Sequence, residues 1–226
     1  IMDKMRSEGL EITLAFSYIR EFMLPSVGKL LEKVDNWCCI HGMNVEIVVN
    51  DWAVAEMLHG KTSHLCPVFG TLLNKRKKDP RLSYLKSRLP DKDSGLLAEN
   101  SLNADFYQKA LEKSLGFVRY EWESCGYPQK FPEGKNSLHL PFYQTNTSQY
   151  CTLYAQCREH NRGRQYLQTE CPGYCQMQAF LYPEHLHMTG SYNSLFALDQ
   201  TVLRARETGS VENAAFRKEE QGVQPD

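Results

Sequence analysis

The sequence predicts an α/β fold built from parallel βα units, and the alternation of segment types near the N-terminus is what predicts it. Residues 11–19, 45–49 and 64–69 are short, β-branched or aromatic, and read as buried strands. Between them, residues 25–34 and 52–58 space their apolar side chains as helices do. Strand, helix, strand, helix, strand with short connections is the pattern that parallel sheets require, because each crossover helix covers a face of the sheet. At 226 residues the chain suits one barrel-sized domain.

The elements follow in order. The strand over 45–49 ends at Asn50-Asp51, either of which suits the N-cap of the helix over 52–58, and Gly60 closes that helix. The regularity then breaks: residues 70–100 hold a basic run and two prolines and read as a long loop with one helical piece. Residues 104–115 form an amphipathic helix that stops at Gly116. Strands are expected over 117–122, 138–143 and 179–182, with Pro141 placing the second at an edge or an irregularity. Residues 193–206 read as a final helix, and 207–226 as a polar, disordered tail. Residues 1–206 are thus expected as a single domain with five or six strands, too few to close an eight-stranded barrel. Because Ile1 stands first and the earliest strand begins ten residues later, the sequence reads as a piece whose opening strands lie upstream.

Composition narrows the function classes. A formal net charge of -1 argues against a general polyanion binder while leaving room for a local basic patch. Residues 1–20 carry charges throughout and lack the apolar stretch of a signal peptide, and no apolar run approaches the ~20 residues that span a bilayer. A reducing, cytoplasmic location is therefore expected, with no membrane partner, and there the eight cysteines serve as thiols or ligands.

The densest chemistry lies at residues 150–176, where Cys151, Cys157, Cys171 and Cys175 are spaced C-x5-C-x13-C-x3-C. Four soft sulfur donors suit zinc or an iron–sulfur cluster, and Pro172 with Gly173 turns the chain between the last two. Two disulfides, or four unrelated thiols, are the plainer readings. A second concentration puts Lys75, Arg76, Lys77, Lys78 and Arg81 in one loop after a strand, where they meet solvent or bind an anionic carboxylate or phosphate. Asp51 falls at a strand-to-helix junction, where α/β sites form, although a helix cap explains it equally well. Glu121 and Glu123 share one strand face, so they suit either an acid–base pair or an ordinary polar face. His185 and His187 share a face if that stretch is a strand. Signatures of zinc peptidases, serine hydrolases and Walker-type nucleotide sites are absent.

Four of these segments, in this order, make the chain resemble the peptidase U-32 family, the collagenase-like proteins. They are residues 46–52, residues 72–81 (Leu-Leu-Asn-Lys followed by Asp-Pro-Arg), residues 139–151, and the pair Cys171 and Cys175. The match spans roughly residues 10–200, and Ala53 departs from it where many members have glycine. The resemblance implies an incomplete or modified TIM-like (β/α) barrel with a cysteine-rich loop holding a [4Fe-4S] cluster on Cys151, Cys157, Cys171 and Cys175. It also implies oxygen-independent hydroxylation of an aromatic ring or an RNA base, beside which Asp51 and Glu121 stand, by their positions alone, as catalytic candidates. Lys75, Arg76 and Arg81 would then hold a small anionic substrate or RNA, and a partner chain would complete the barrel. The alternative is a non-catalytic module stapled by zinc. Read literally as a peptidase, the chain shows no activated nucleophile.

Overall fold

A computed structural model describes residues 1–60, 62–82, 88–125, 131–164, 167 and 170–207. The chain divides into two compact units, each drawing on several stretches. The first comprises Ile1–Lys75, Asn100–Trp122 and Phe131–Ser137, and the second Arg76–Glu99, Glu123–Lys130 and Leu138–Asp226.

In the first unit a short helix, α1 (Met2–Ser7), precedes β1 (Thr13–Ala15), α2 (Leu24–His41), β2 (Val45–Val49), α3 (Trp52–Leu58) and β3 (Leu65–Phe69). Helix α2 runs seven residues beyond the segment read from periodicity and ends on Gly42 at φ 62, the left-handed closure that glycine permits. Asp51 caps α3, its Oδ1 accepting from the Ala53 N–H at 2.7 Å. Later come α5 (Asp105–Leu115) and β4 (Arg119–Glu123), preceded in the second unit by α4 (Asp91–Ala98), then β5 (Lys135–His139). The sheet order is β1-β2-β3-β4-β5, and β1 to β4 pair in parallel. This is a mixed α/β fold whose sequentially ordered sheet is compatible with an incomplete barrel.

Register divides the sheet into two faces. Thr13 aligns with Glu46, and Val48 with Val68 and then Arg119, so Thr13, Glu46, Arg119 and Glu121 project to one side. Ile47, Val49, Phe69, Tyr120 and Trp122 project to the other and are all buried. There Phe69 meets Phe117 edge-on at 5.1 Å, and the Tyr120 hydroxyl donates to Glu112 of α5 at 3.0 Å. Each such aliphatic or aromatic side chain contributes about 1.5–3 kcal/mol by leaving water.

The second unit carries an antiparallel sheet of order β6-β9-β8-β7, formed by β6 (Phe142–Thr147), β7 (Phe180–Leu181), β8 (Met188–Ser191) and β9 (Ser194–Leu198). Helices α6 (Thr152–Glu159) and α7 (Gln200–Glu207) and the 3-10 turns Tyr174–Gln176 and Glu184–Leu186 belong to the same unit. Cys125, Tyr143 and Ala197 form a small core with Met188 against it.

Four sequence expectations change here. Residues 138–143 are not one strand: β5 ends at His139, Leu140–Pro141 is a cis peptide, and β6 belongs to the other sheet. Residues 193–206 are not one helix, because Ser194–Leu198 pairs with β6 and β8. The helix starts only after Asp199, whose Oδ1 accepts from the Thr201 N–H at 2.9 Å and its hydroxyl at 2.6 Å. His185 and His187 lie in a 3-10 turn and a left-handed residue (φ 48), so they share no strand face. With β8 and β9 unforeseen, the described residues hold nine strands rather than five or six. Of the expected tail, residues 208–226 lie outside the described residues.

Candidate functional site

In the first unit the ends of β1, β2 and β3 are tied by one side chain. Asn50 Nδ2 donates to the Phe16 carbonyl and its Oδ1 accepts from the Leu72 N–H, both at 2.9 Å. Gly70 makes room for this. A Cβ there would lie 2.2 Å from Asn50 Oδ1 and 2.7 Å from the Val49 carbonyl oxygen, closer than real contacts allow. Asp51, expected as a catalytic candidate, accepts from Ile19 N–H at 3.3 Å as well as capping α3. Asn50, Asp51 and Gly70 therefore position the strand ends, where α/β sites form.

On the polar face of the same sheet, Arg119 grips Glu46 with two donors, Nε to Oε1 at 3.1 Å and Nη2 to Oε2 at 2.7 Å. Its Nη1 reaches Glu121 Oε1 at 3.3 Å and Ser137 Oγ at 2.5 Å. Hydrogen bonding from Arg119 holds the Glu46 carboxyl below the usual carboxylate range, against the opposing push of burial. Glu121, the other expected catalytic carboxylate, is buried and engaged with Arg119 in this network. The Glu121 backbone carbonyl accepts from Asn74 Nδ2 at 3.3 Å, while Asn74 Oδ1 is buried with no hydrogen-bond partner.

The basic segment divides its cations three ways. Lys75, in the first unit, is exposed. In the second unit Arg76 turns inward, its side chain 3% exposed, and donates to the Glu123 carbonyl. Lys78 Nζ meets Glu123 Oε2 at 2.5 Å, and Glu123 Oε1 accepts from the Gln144 N–H at 2.9 Å. Burial pushes the Lys78 ammonium below the ordinary lysine range more strongly than the Glu123 carboxylate draws it back. Burial likewise pushes the Tyr143 phenol up, with Cys125 and Asp199 adding to the effect. Arg81 stays outside and pairs with Asp79 at 2.5 Å. Of the three cations expected to bind an anion, Arg76 is a buried structural donor, and Lys75 and Arg81 face solvent. Sequence reading missed Lys78, because nothing in a run of cations marks which of them turn inward.

The cysteine segment belongs wholly to the second unit. Cys151 is the N-cap of α6: its sulfur accepts from the Tyr154 N–H at 3.3 Å and donates to the Tyr192 carbonyl at 3.4 Å. Cys157, further along the helix, donates to Gln178 Oε1 at 2.8 Å. Cys175 sits in the 3-10 turn Tyr174–Gln176, which lies against α6 with the Tyr154 and Tyr174 rings 6.0 Å apart. Cys171 is exposed, and its sulfur accepts from the Gly173 N–H at 3.4 Å. Among the described residues no three His, Cys, Asp or Glu side chains are gathered as a metal would need them. The donors are chemically right for zinc or an iron–sulfur cluster, and their elements are neighbours, but as arranged the four sulfurs do not fit a shared metal.

No protein-family model, curated protein or solved structure matches this chain. No helix among the described residues is long and apolar enough to cross a membrane.

Proposed function

We propose that this chain is a U-32-like iron–sulfur protein that takes part in oxygen-independent hydroxylation of an aromatic ring or an RNA base. Cys151, Cys157, Cys171 and Cys175 are the proposed ligands of a [4Fe-4S] cluster within an incomplete TIM-like barrel. What supports this reading is the packing of the Tyr174–Gln176 turn, which carries Cys175, against α6, which carries Cys151 at its N-cap and Cys157 within it. An anionic substrate, or RNA, would be drawn by the exposed Lys75 and Arg81, with Arg76 shaping the segment from within. A partner chain that completes the barrel belongs to the same proposal, as does a cytoplasmic setting.

A zinc-stapled, non-catalytic module is the second reading. It is favoured by the structural employment of both expected catalytic carboxylates, Asp51 as a cap and Glu121 in the Arg119 network. Anaerobic reconstitution with ferrous iron and sulfide separates the two. The hydroxylation reading expects brown protein with stoichiometric iron and sulfide, and loss of both in Cys171→Ser; colourless protein that retains zinc instead would establish the module. Iron retained in full by Cys171→Ser would remove that residue from the ligand set.

A further inference from the structure

In the second unit two cations converge on one carboxylate. Lys78 Nζ lies 2.5 Å from Glu123 Oε2, and Arg76 Nη2 lies 4.0 Å from the same oxygen while donating to the Glu123 carbonyl. One cation satisfies a structural carboxylate, and taking a second out of water beside it is costly. Glu123 is also fixed: its Oε1 accepts from the Gln144 N–H at 2.9 Å, which leaves Oε2 directed at Lys78. Of the three side chains Lys78 keeps the most contact with solvent, 12% against 9% for Glu123 and 3% for Arg76. An amine within hydrogen-bond reach of a base, with the base oriented by a third group, is the arrangement of an activated nucleophile. Burial, with Arg76 adding to it, favours the neutral amine; Glu123 and, more weakly, Cys125 oppose it, and burial prevails.

We propose that Lys78 is a carbonyl-reactive amine that forms a Schiff base with an aldehyde or ketone, and that Glu123 moves the protons. This assignment stands apart from the cysteine ligands and from hydroxylation. Glu123 takes a proton from the Lys78 ammonium, and the freed nitrogen lone pair attacks the carbonyl carbon. As the N–C bond forms, the carbonyl π pair moves to oxygen, which receives the proton from Glu123. Glu123 then takes a second proton from nitrogen and delivers it to the new hydroxyl as the C–O bond breaks. Water leaves, the protonated imine remains beside the restored Glu123 carboxylate, and nothing is oxidised or reduced. Arg76 touches no reacting atom; it is a positioning residue that holds Glu123 through its carbonyl.

The test is reductive alkylation of the native full chain with acetaldehyde and cyanoborohydride at neutral pH, with the rate at each lysine read by peptide mass mapping. Lys77, exposed and with its Nζ 3.5 Å from the Leu96 carbonyl oxygen, is the internal reference. Lys78 is expected to react about 100-fold faster than Lys77, the low end of what a positioned acid–base group contributes, and the preference should vanish in urea. A preference below about tenfold, short of that contribution, overturns the proposal, as does one that survives unfolding. Glu123→Gln should abolish the preference while leaving Lys77 unchanged; undiminished reaction of Lys78 in that variant, once folded, overturns the role given to Glu123. Where Glu123→Gln does not fold, the wild-type comparison decides by itself. Neither failure bears on the cluster reading, which iron and sulfide content decide.

Discussion

Replacing Gly70 by alanine probes how tightly the strand ends of the first unit are tied. The new methyl would meet Asn50 Oδ1 at 2.2 Å, Asn50 Cγ at 2.6 Å and the Val49 carbonyl at 2.7 Å. If Asn50 swings away, its bonds to the Phe16 carbonyl and the Leu72 N–H are lost, at about 1 kcal/mol each. The Val49 contact remains, and relieving it by a backbone shift costs a further ~1–3 kcal/mol. The expected total is about 3–5 kcal/mol. All three tryptophans, Trp37, Trp52 and Trp122, lie in the first unit, so urea unfolding followed by tryptophan fluorescence reports on this unit directly. Asn50→Ala alone should cost about 2 kcal/mol, the two bonds. In that background Gly70→Ala should cost only the backbone share, so the two changes should fall short of additivity by about 2 kcal/mol, the bonds counted twice. A Gly70→Ala protein as stable as wild type, or strict additivity of the pair, would show that the Asn50 tie does not hold the strand ends.

Other expectations concern the buried ionic groups and one cap. Glu123→Gln leaves Arg76 and Lys78 buried beside an amide and should destabilise by about 3–5 kcal/mol in urea; a loss within error would contradict the pairing. Because the folded chain binds the Lys78 proton less tightly than the unfolded chain, stability should rise with pH just below the ordinary lysine value of ~10.4, and Lys78→Met should lack that rise. Glu46 gives the same slope in the acid range, since its folded-state value is likewise depressed. Its contribution is present above the ordinary carboxylate value of ~4.3 and fades as pH falls through and below it, so Glu46→Gln should flatten the acid limb of the thermal stability profile. Asp199→Ala should cost about 1 kcal/mol by uncapping α7, and unchanged helicity and midpoint would argue that the cap is idle.

Where side-chain spacing alone decides structure, the sequence could be read. Residues 45–49 are apolar and β-branched apart from Glu46, and the structure gives Val45–Val49 as a strand with both faces largely covered. Gly116 takes φ 69 and ends α5 as its position after the last apolar residue implied. Residues 193–206 misled because Leu195, Leu198, Val202 and Leu203 mimic helical spacing. The hairpin turn at Tyr192 (φ 55) and the Asp199 cap, both local effects, move the helix start beyond the strand. The candidate site was legible as composition and not as geometry. Which cation turns inward and which amide holds a thiol both depend on partners such as Glu123 and Gln178, distant or unmarked in sequence.

The segment 75–81 shows what that difference means for experiment. Read along the chain, Arg76 and Arg81 look equivalent, two guanidiniums in one basic run of a nearly neutral protein. In the second unit Arg76 is 3% exposed and donates to the Glu123 carbonyl, whereas Arg81 is 74% exposed and pairs with Asp79. Arg76→Ala removes a buried donor, its packed methylenes and a counter-charge to Glu123, so it should cost about 3 kcal/mol or more. Arg81→Ala should leave the unfolding midpoint within error, since an exposed pair is screened by solvent and salt. If the segment also attracts an anionic substrate, that role belongs to the accessible cations. Arg81→Ala should then weaken binding of a model dicarboxylate or phosphate, with an effect that shrinks at high salt. Equal destabilisation by the two alanine variants would refute the inward placement of Arg76, and unchanged anion binding in Arg81→Ala would take that residue out of any substrate site.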